Sequence, residues 1–244
     1  MVVRLKAKFI WSFAKFNGVA WLRDSPWSII ANIVTPICLM VIISLISGGK
    51  LVDFAAVGGV VAIISSTTLA STFQSALFRL EFGIHELLVA TKVSILDYIL
   101  GFFVANVVFA SPGITFFAIL SIILAIATPA RIAATVLVAV TLALATTSIA
   151  LFVGGKIKRT IGMGAISGIL SAIMTLIAPT FYPYTALPKA VLYVLAVSPV
   201  TMADITLQGA YGLQPAIAIA PVVLVIEVAF YVGVAWKFGR WRAR

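Results

Sequence analysis

Six apolar runs, at residues 27–46, 55–78, 98–126, 132–153, 161–178 and 215–236, dominate what this chain can become. About 20 apolar residues cross the hydrocarbon of a bilayer, and each run meets or approaches that length. Over the whole chain 63% of residues are apolar and 10% charged, with a mean hydropathy of +1.20. These values exclude a soluble domain, whose apolar share is about half. The expected fold is an all-α polytopic membrane protein with six transmembrane helices, forming one domain over residues 1–244. The third run is long enough to tilt, or to bend at Pro112.

A net charge of +10 raises the question of nucleic acid, but the placement of the cations answers it. Arg4, Lys6, Lys8, Lys15 and Arg23 precede the first run, and Arg79 and Lys92 follow the second. Lys156, Lys158 and Arg159 follow the fourth, and Lys237, Arg240, Arg242 and Arg244 follow the sixth. Only Lys50, Arg131 and Lys189 fall on the other side. The positive-inside rule then puts both termini in the cytoplasm, with attraction to anionic lipid as a second effect. The basic excess is topological, and nucleic acid is not an expected partner. The single cysteine, Cys38, lies in the first run and forms no intrachain disulfide. The N-terminus shows no short apolar core with a small-residue cleavage site, so no cleavable leader is expected.

Three segments outside the runs have character of their own. Within 1–24, residues 2–17 form an amphipathic pattern. Arg4, Lys8, Trp11 and Lys15 share one face, and Val2, Leu5, Phe9, Phe13 and Phe16 share the other. This predicts an interfacial helix along the inner leaflet, aromatics toward the acyl boundary and lysines toward phosphates; the alternative is a basic flank that only sets orientation. At 79–94 a polar stretch interrupts the apolar runs. Leu80, Ile84, Leu87 and Leu88 make a stripe at helical spacing, Glu81, His85 and Lys92 lie on another side, and Arg79 and Glu86 on a third. A helix of this kind docks its stripe on the bundle and presents its charges to water; a solvated turn is the alternative. Gly83 allows close approach of another backbone, or a break from the second run. At 179–199 prolines and interface-type aromatics surround an apolar piece too short to span. We expect a re-entrant or interfacial hairpin on the outer face, with an ordered loop as alternative, followed by a short amphipathic turn over 201–211.

Catalytic constellations are nearly lacking. One His and one Cys build neither a zinc site nor a Cys–His nucleophile. Glu81 and His85, four apart, have no third metal ligand. Gly49–Lys50 and Gly155–Lys156 lack the remainder of a phosphate-binding loop. Glu227 is the acid placed well inside an apolar run. Such a carboxyl marks a pathway, or ties helices together by hydrogen bonds. Asn32 and Asn106 can tie helices too, and Gly164 and Gly168 form a small-residue packing pattern.

The order of these elements resembles the permease subunit of ATP-binding-cassette exporters of the second type. Arg79, Glu81, Gly83, Glu86, Leu87, Leu88, Thr91, Val93 and Ser94 match the motif those permeases carry after their second span. Lys92 stands for the usual proline and His85 for the usual leucine. Phe181-Tyr182-Pro183, Leu187-Pro188 and Ser198-Pro199-Val200-Thr201 resemble the family's outer signature, with Ser198 in place of asparagine. The resemblance implies a homodimer, or a pair with a similar permease, resting on two ATP-binding-cassette ATPase subunits in the cell membrane. The 79–94 helix is then the coupling helix, with Arg79, Glu81, Gly83, His85, Glu86, Leu87, Leu88 and Lys92 as its named residues. No cofactor is expected on this chain, since ATP is bound by the partner. Few intramembrane charges favour an amphipathic or lipid-like cargo, such as a drug, a lipid or a lipid-linked molecule. Two rivals remain: a proton-coupled carrier using Glu227, and a non-transporting membrane anchor. An intramembrane enzyme lacks the clustered groups it needs.

Overall fold

The computed structural model describes residues 6–84, 90–91 and 93–238. The described residues are helical or irregular, without strands. Helix α1 (Ala7–Ala14) continues through a π-helical turn (Lys15–Val19) into α2 (Ala20–Asp24). There follow α3 (Pro26–Ile46), α4 (Val52–Leu80), α5 (Ile95–Ile123), α6 (Pro129–Gly154) and α7 (Met163–Leu176). Last come α8 (Lys189–Leu195), α9 (Pro199–Ala210) and α10 (Ala220–Phe238). By length and composition α4, α5, α6 and α10 can each cross a membrane. Helices α8 and α9 meet at 118° across a short break, and counting that pair as one span makes five. Helix α3 adds 21 residues. Helix α7 has 14, or about 21 Å, less than the ~30 Å hydrocarbon thickness. It begins after Gly162, whose φ of 92° is left-handed, and so is shorter than the apolar run that contains it.

Helix α4 is the axis of the bundle, packing against α3, α5, α6, α7 and α9. Its sequence explains how. Small residues fill its outer half, and a Ser/Thr stripe runs through the middle. At Gly58 a Cβ would lie 1.5 Å from the Thr180 carbonyl oxygen, so only glycine lets the 178–182 strand of chain press onto the helix. Lower down, the stripe bonds its neighbours directly. Asn32 Nδ2 donates to Thr67 Oγ1 (3.0 Å), and Thr68 donates to Thr146 Oγ1 (2.6 Å). Asn106 Nδ2 donates to Ser71 Oγ (2.7 Å) and Thr147 Oγ1 (3.2 Å), and Ser65 and Thr175 share a hydrogen bond of 3.1 Å. The tying role expected of Asn32 and Asn106 is what they perform. Around this seam Ile63, Phe117, Leu142 and Leu224 make the main apolar core.

Pro112 lies inside an unbroken α5. Its missing N–H leaves the Val108 carbonyl without its helical donor, and Ser111 Oγ donates to that oxygen at 2.7 Å. A neighbouring hydroxyl thus repairs the gap a proline makes in a membrane helix.

The N-terminal helix corrects one expectation. Phe9 and Phe13 turn to the bundle rather than to acyl chains: Phe13 lies 5.0 Å from Phe102, 5.6 Å from Tyr98 and 6.4 Å from Phe78, ring to ring. Phe16, assigned to the same face, is exposed, while Asn17 and Gly18 are buried. The π turn is the reason. One extra residue per turn rotates the following side chains by about 100°, and Gly18 rather than Phe16 meets α5 at Ala105. Lys8, Trp11 and Lys15 face outward, as the amphipathic pattern requires. Val2, Arg4 and Leu5 of that pattern, and Arg240, Arg242 and Arg244 at the other end, lie outside the described residues.

Candidate functional site

The polar stretch after α4 sits at the end of two helices of 29 residues each. At 1.5 Å per residue each is about 43 Å long, some 13 Å more than the hydrocarbon thickness. Tilt absorbs such an excess, or a helix end carries it beyond the hydrocarbon. Helix α4 ends with Glu81 as its C-cap, and Gly83 follows with φ 59°. No atom of the described residues lies within 4 Å of where a Gly83 Cβ would be. Its positive φ serves the left-handed break from the second run. Ile84 and Ala90 are helical. Glu81 is exposed, and Phe82 beside it is 60% exposed. His85, Glu86, Leu87, Leu88 and Lys92 lie outside the described residues.

Arg79 is not on the presenting surface. Its guanidinium turns inward and donates to the carbonyls of Gly154 (3.1 Å) and Ile157. Those oxygens close α6 and the turn beyond it, where helical partners run out. A cation there also meets the negative end of the α6 dipole. Arg79 thus clamps the C-terminal ends of α4 and α6 together.

The far side of the stretch is fastened differently. Ser94 and Asp97 form a capping box at the start of α5: Asp97 N donates to Ser94 Oγ (3.1 Å), and Ser94 N donates to Asp97 Oδ2 (2.9 Å). The second carboxylate oxygen accepts from the Lys6 backbone N–H (2.8 Å), and Lys6 Nζ donates to the Thr91 carbonyl (2.7 Å). One buried aspartate (1% exposed) joins the N-terminal helix, the exit of the polar stretch and α5. The Ser-x-x-Asp spacing is a capping signal visible in sequence; the link to Lys6 is not. Replacing Asp97 with alanine removes the box and this link, at a cost of about 1–2 kcal/mol. We expect tryptic cleavage at Lys92 to quicken by roughly 5-fold or more. An unchanged cleavage rate in a folded variant would show that Asp97 does not hold this segment.

Glu227 is 8% exposed, and neither carboxyl oxygen has a hydrogen-bond partner among the described residues. It lies on the inward face of α10 between Leu224 and Tyr231. Of its two sequence readings, the helix-tying one has no bond to support it. Gly164 and Gly168 are exposed on α7, and no atom lies within 4 Å of a Cβ at either.

The opposite end of the bundle holds residues that sequence reading passed over. Residues 201–211 are not an amphipathic turn. Residues 201–210 belong to the 12-residue helix α9, with Tyr211 as its C-cap, and Thr201, Ile205 and Leu207 are buried in it. Asp204, 2% exposed, accepts from Thr180 Oγ1 (2.8 Å). Gln208 Nε2 donates to the carbonyls of Pro179 (2.7 Å) and Tyr182 (3.0 Å), while its Oε1 accepts from the Tyr184 N–H (3.1 Å). Tyr184 Oη donates to the Pro215 carbonyl at 2.6 Å. The Phe181-Tyr182-Pro183 segment is thereby an ordered cap held by α9. The bend that resembles a re-entrant hairpin lies further on, between α8 and α9. The signal for this was Asp204 and Gln208, four apart on one face of an otherwise apolar stretch.

The model of the family described as ABC-2 type transporter matches residues 9–211, from α1 to the end of α9. No curated protein and no solved structure matches the chain.

Proposed function

The chain belongs to the ABC-2 type transporter family, and from that membership we propose that it is the permease subunit of an ATP-driven exporter, moving an amphipathic or lipid-like substrate out of the cytoplasm. The family match over residues 9–211 carries the reading, because it takes in the N-terminal helix, the stretch after α4 and the outer Phe-Tyr-Pro segment together. In this reading α3, α4, α5, α6, α7 and α10 are six spans of the cell membrane. Both termini are cytoplasmic, in keeping with the basic flanks. The α8–α9 pair re-enters from the outer face. Two such chains, or one with a similar permease, rest on two ATPase subunits that bind ATP, and the chain itself performs no hydrolysis.

Residues 79–94 seat in the ATPase as the coupling helix. The exposure of Glu81 and Phe82 at its start supports this. Arg79 acts behind the contact: a push on the stretch passes through its clamp to α6, and through Asp97 to α5 and the N-terminal helix. Rigid-body tilting of packed helices then opens a path. Mild-detergent purification of the tagged chain from its own membranes tests the assignment. We expect an ATP-binding protein to accompany it, and Glu86→Arg to reduce that recovery by about tenfold while the permease still inserts. A chain that purifies folded and alone would instead support the second reading, a proton-coupled carrier, for which the unpartnered Glu227 speaks.

A further inference from the structure

The bend between α8 and α9 encloses a cavity of about 210 Å³, bounded by the end of α7, the bend itself and α10. Its depth follows from one hydrogen bond. Tyr231 Oη donates to the Val197 carbonyl at 2.6 Å, and Tyr231 lies about 16 Å along α10 from Ala220, at 1.5 Å per residue. In the permease reading α10 enters the ~30 Å hydrocarbon near Ala220, which puts the bend near mid-bilayer. A broken helix at that depth is tolerated where its backbone lines a cavity, and such places hold substrates in other transporters.

Polar atoms in and beside this cavity are short of partners. Ser198, the N-cap of α9, makes no side-chain capping bond. Ser198 and Thr201 line the cavity, and their buried hydroxyl oxygens have no hydrogen-bond partner among the described residues. Tyr231 Oη, its proton given to Val197, retains acceptor capacity. One turn before Tyr231 on the same face, about 6 Å along the axis, lies Glu227, with both oxygens unpartnered. The opposite wall and rim are apolar, and Ile173, Ile177, Val194 and Val197 are exposed at the mouth.

We propose that this cavity binds the ammonium end of a cationic amphiphile entering from the bilayer. The hydroxyls of Ser198, Thr201 and Tyr231 accept its N–H groups, and Glu227 supplies the countercharge. The inference rests on the permease reading and narrows its cargo. The start of α9 opposes a cation with roughly half a positive charge, but a whole carboxylate charge outweighs it. The volume lies below the ~300 Å³ lower end of drug-sized pockets. The cavity therefore seats one end of the ligand, and the apolar remainder lies along the exposed rim.

Equilibrium dialysis of the purified chain in lipid nanodiscs tests this, with labelled octylammonium, octanol and octanoate as separate probes and empty nanodiscs as blank. Octylammonium should be retained above blank, and octanoate should not. Glu227→Gln should weaken octylammonium retention by about tenfold or more and leave octanol unchanged. Val194→Trp, at a position 73% exposed, should block retention without burdening the fold, so the proposal stands or falls even where Glu227→Gln misfolds. Equal octylammonium retention in wild type, Glu227→Gln and Val194→Trp overturns it, as does a preference for octanoate. Neither outcome touches the permease reading, which depends on recovery of the ATPase.

Discussion

Gly58→Ala should unseat the outer cap from the bundle. The new Cβ would stand 1.5 Å from the Thr180 carbonyl oxygen and 2.5 Å from its carbonyl carbon. Real contacts of this kind do not fall below about 3 Å, and both atoms are backbone, so no rotamer change relieves the clash. The 178–182 segment must move away from α4 by more than an ångström. That displacement breaks the Thr180–Asp204 bond and leaves a carboxyl buried alone. Overpacking costs about 1–3 kcal/mol, and an unpaired buried acid adds at least as much. We expect a large fall in the thermal midpoint of the purified protein, with protease sensitivity appearing first at residues 179–188. Gly164→Ala, at a position with open space around it, is the control and should change little. A Gly58→Ala protein as stable as wild type would mean that the cap does not press on α4.

The second large effect is expected at Gln208. Changing it to leucine removes three hydrogen bonds and leaves the Pro179 and Tyr182 carbonyls and the Tyr184 N–H unpaired in a buried place. Measured hydrogen bonds in membrane proteins average about 0.6 kcal/mol, whereas an orphaned buried group costs about 1–3. Three orphans on one segment therefore destabilise it by about 3 kcal/mol or more. Gln208→Glu separates geometry from charge: it keeps the acceptor for Tyr184 and loses the donors to Pro179 and Tyr182. We expect the glutamate variant to fall between wild type and the leucine variant in melting experiments. Equal melting of all three would remove Gln208 from the account of the cap.

These two residues also mark where sequence reading ran out. Apolar runs set by a single physical demand, the thickness of hydrocarbon, placed α3, α4, α5, α6 and α10 within a few residues of where they lie. The polar stretch after α4 stands out in sequence because charges between apolar runs lie outside hydrocarbon, and Glu227 stands out because it lies inside one. Helix α9 was not visible. Its Thr, Asp and Gln resemble a turn until the segment 179–184 supplies their partners, and those partners lie more than twenty residues away. Phe16 was misassigned because a π turn leaves no compositional trace, yet it moves every following side chain. The bonds of Arg79 to the end of α6 were not legible either. A helix-terminal arginine looks the same in sequence whether it faces water or a neighbour's carbonyls.

The hydroxyl seam along α4 bears on how this bundle can move. Thr68 Oγ1 also lies 2.7 Å from the Ile64 carbonyl, Ser65 Oγ 2.8 Å from Val61 and Thr146 Oγ1 2.7 Å from Leu142. Each has a fallback within its own helix. When such a contact parts, no proton donor is stranded in hydrocarbon, and the separation costs little. Asn106 has no such refuge, since both of its bonds reach other helices. Sliding should therefore be easiest for α7, whose side-chain bonds to α4 among the described residues are the Ser65–Thr175 contact and a long 3.4 Å bond from Ser167 to the Leu69 carbonyl. Helix α5 should travel with α4 and α6 as one piece.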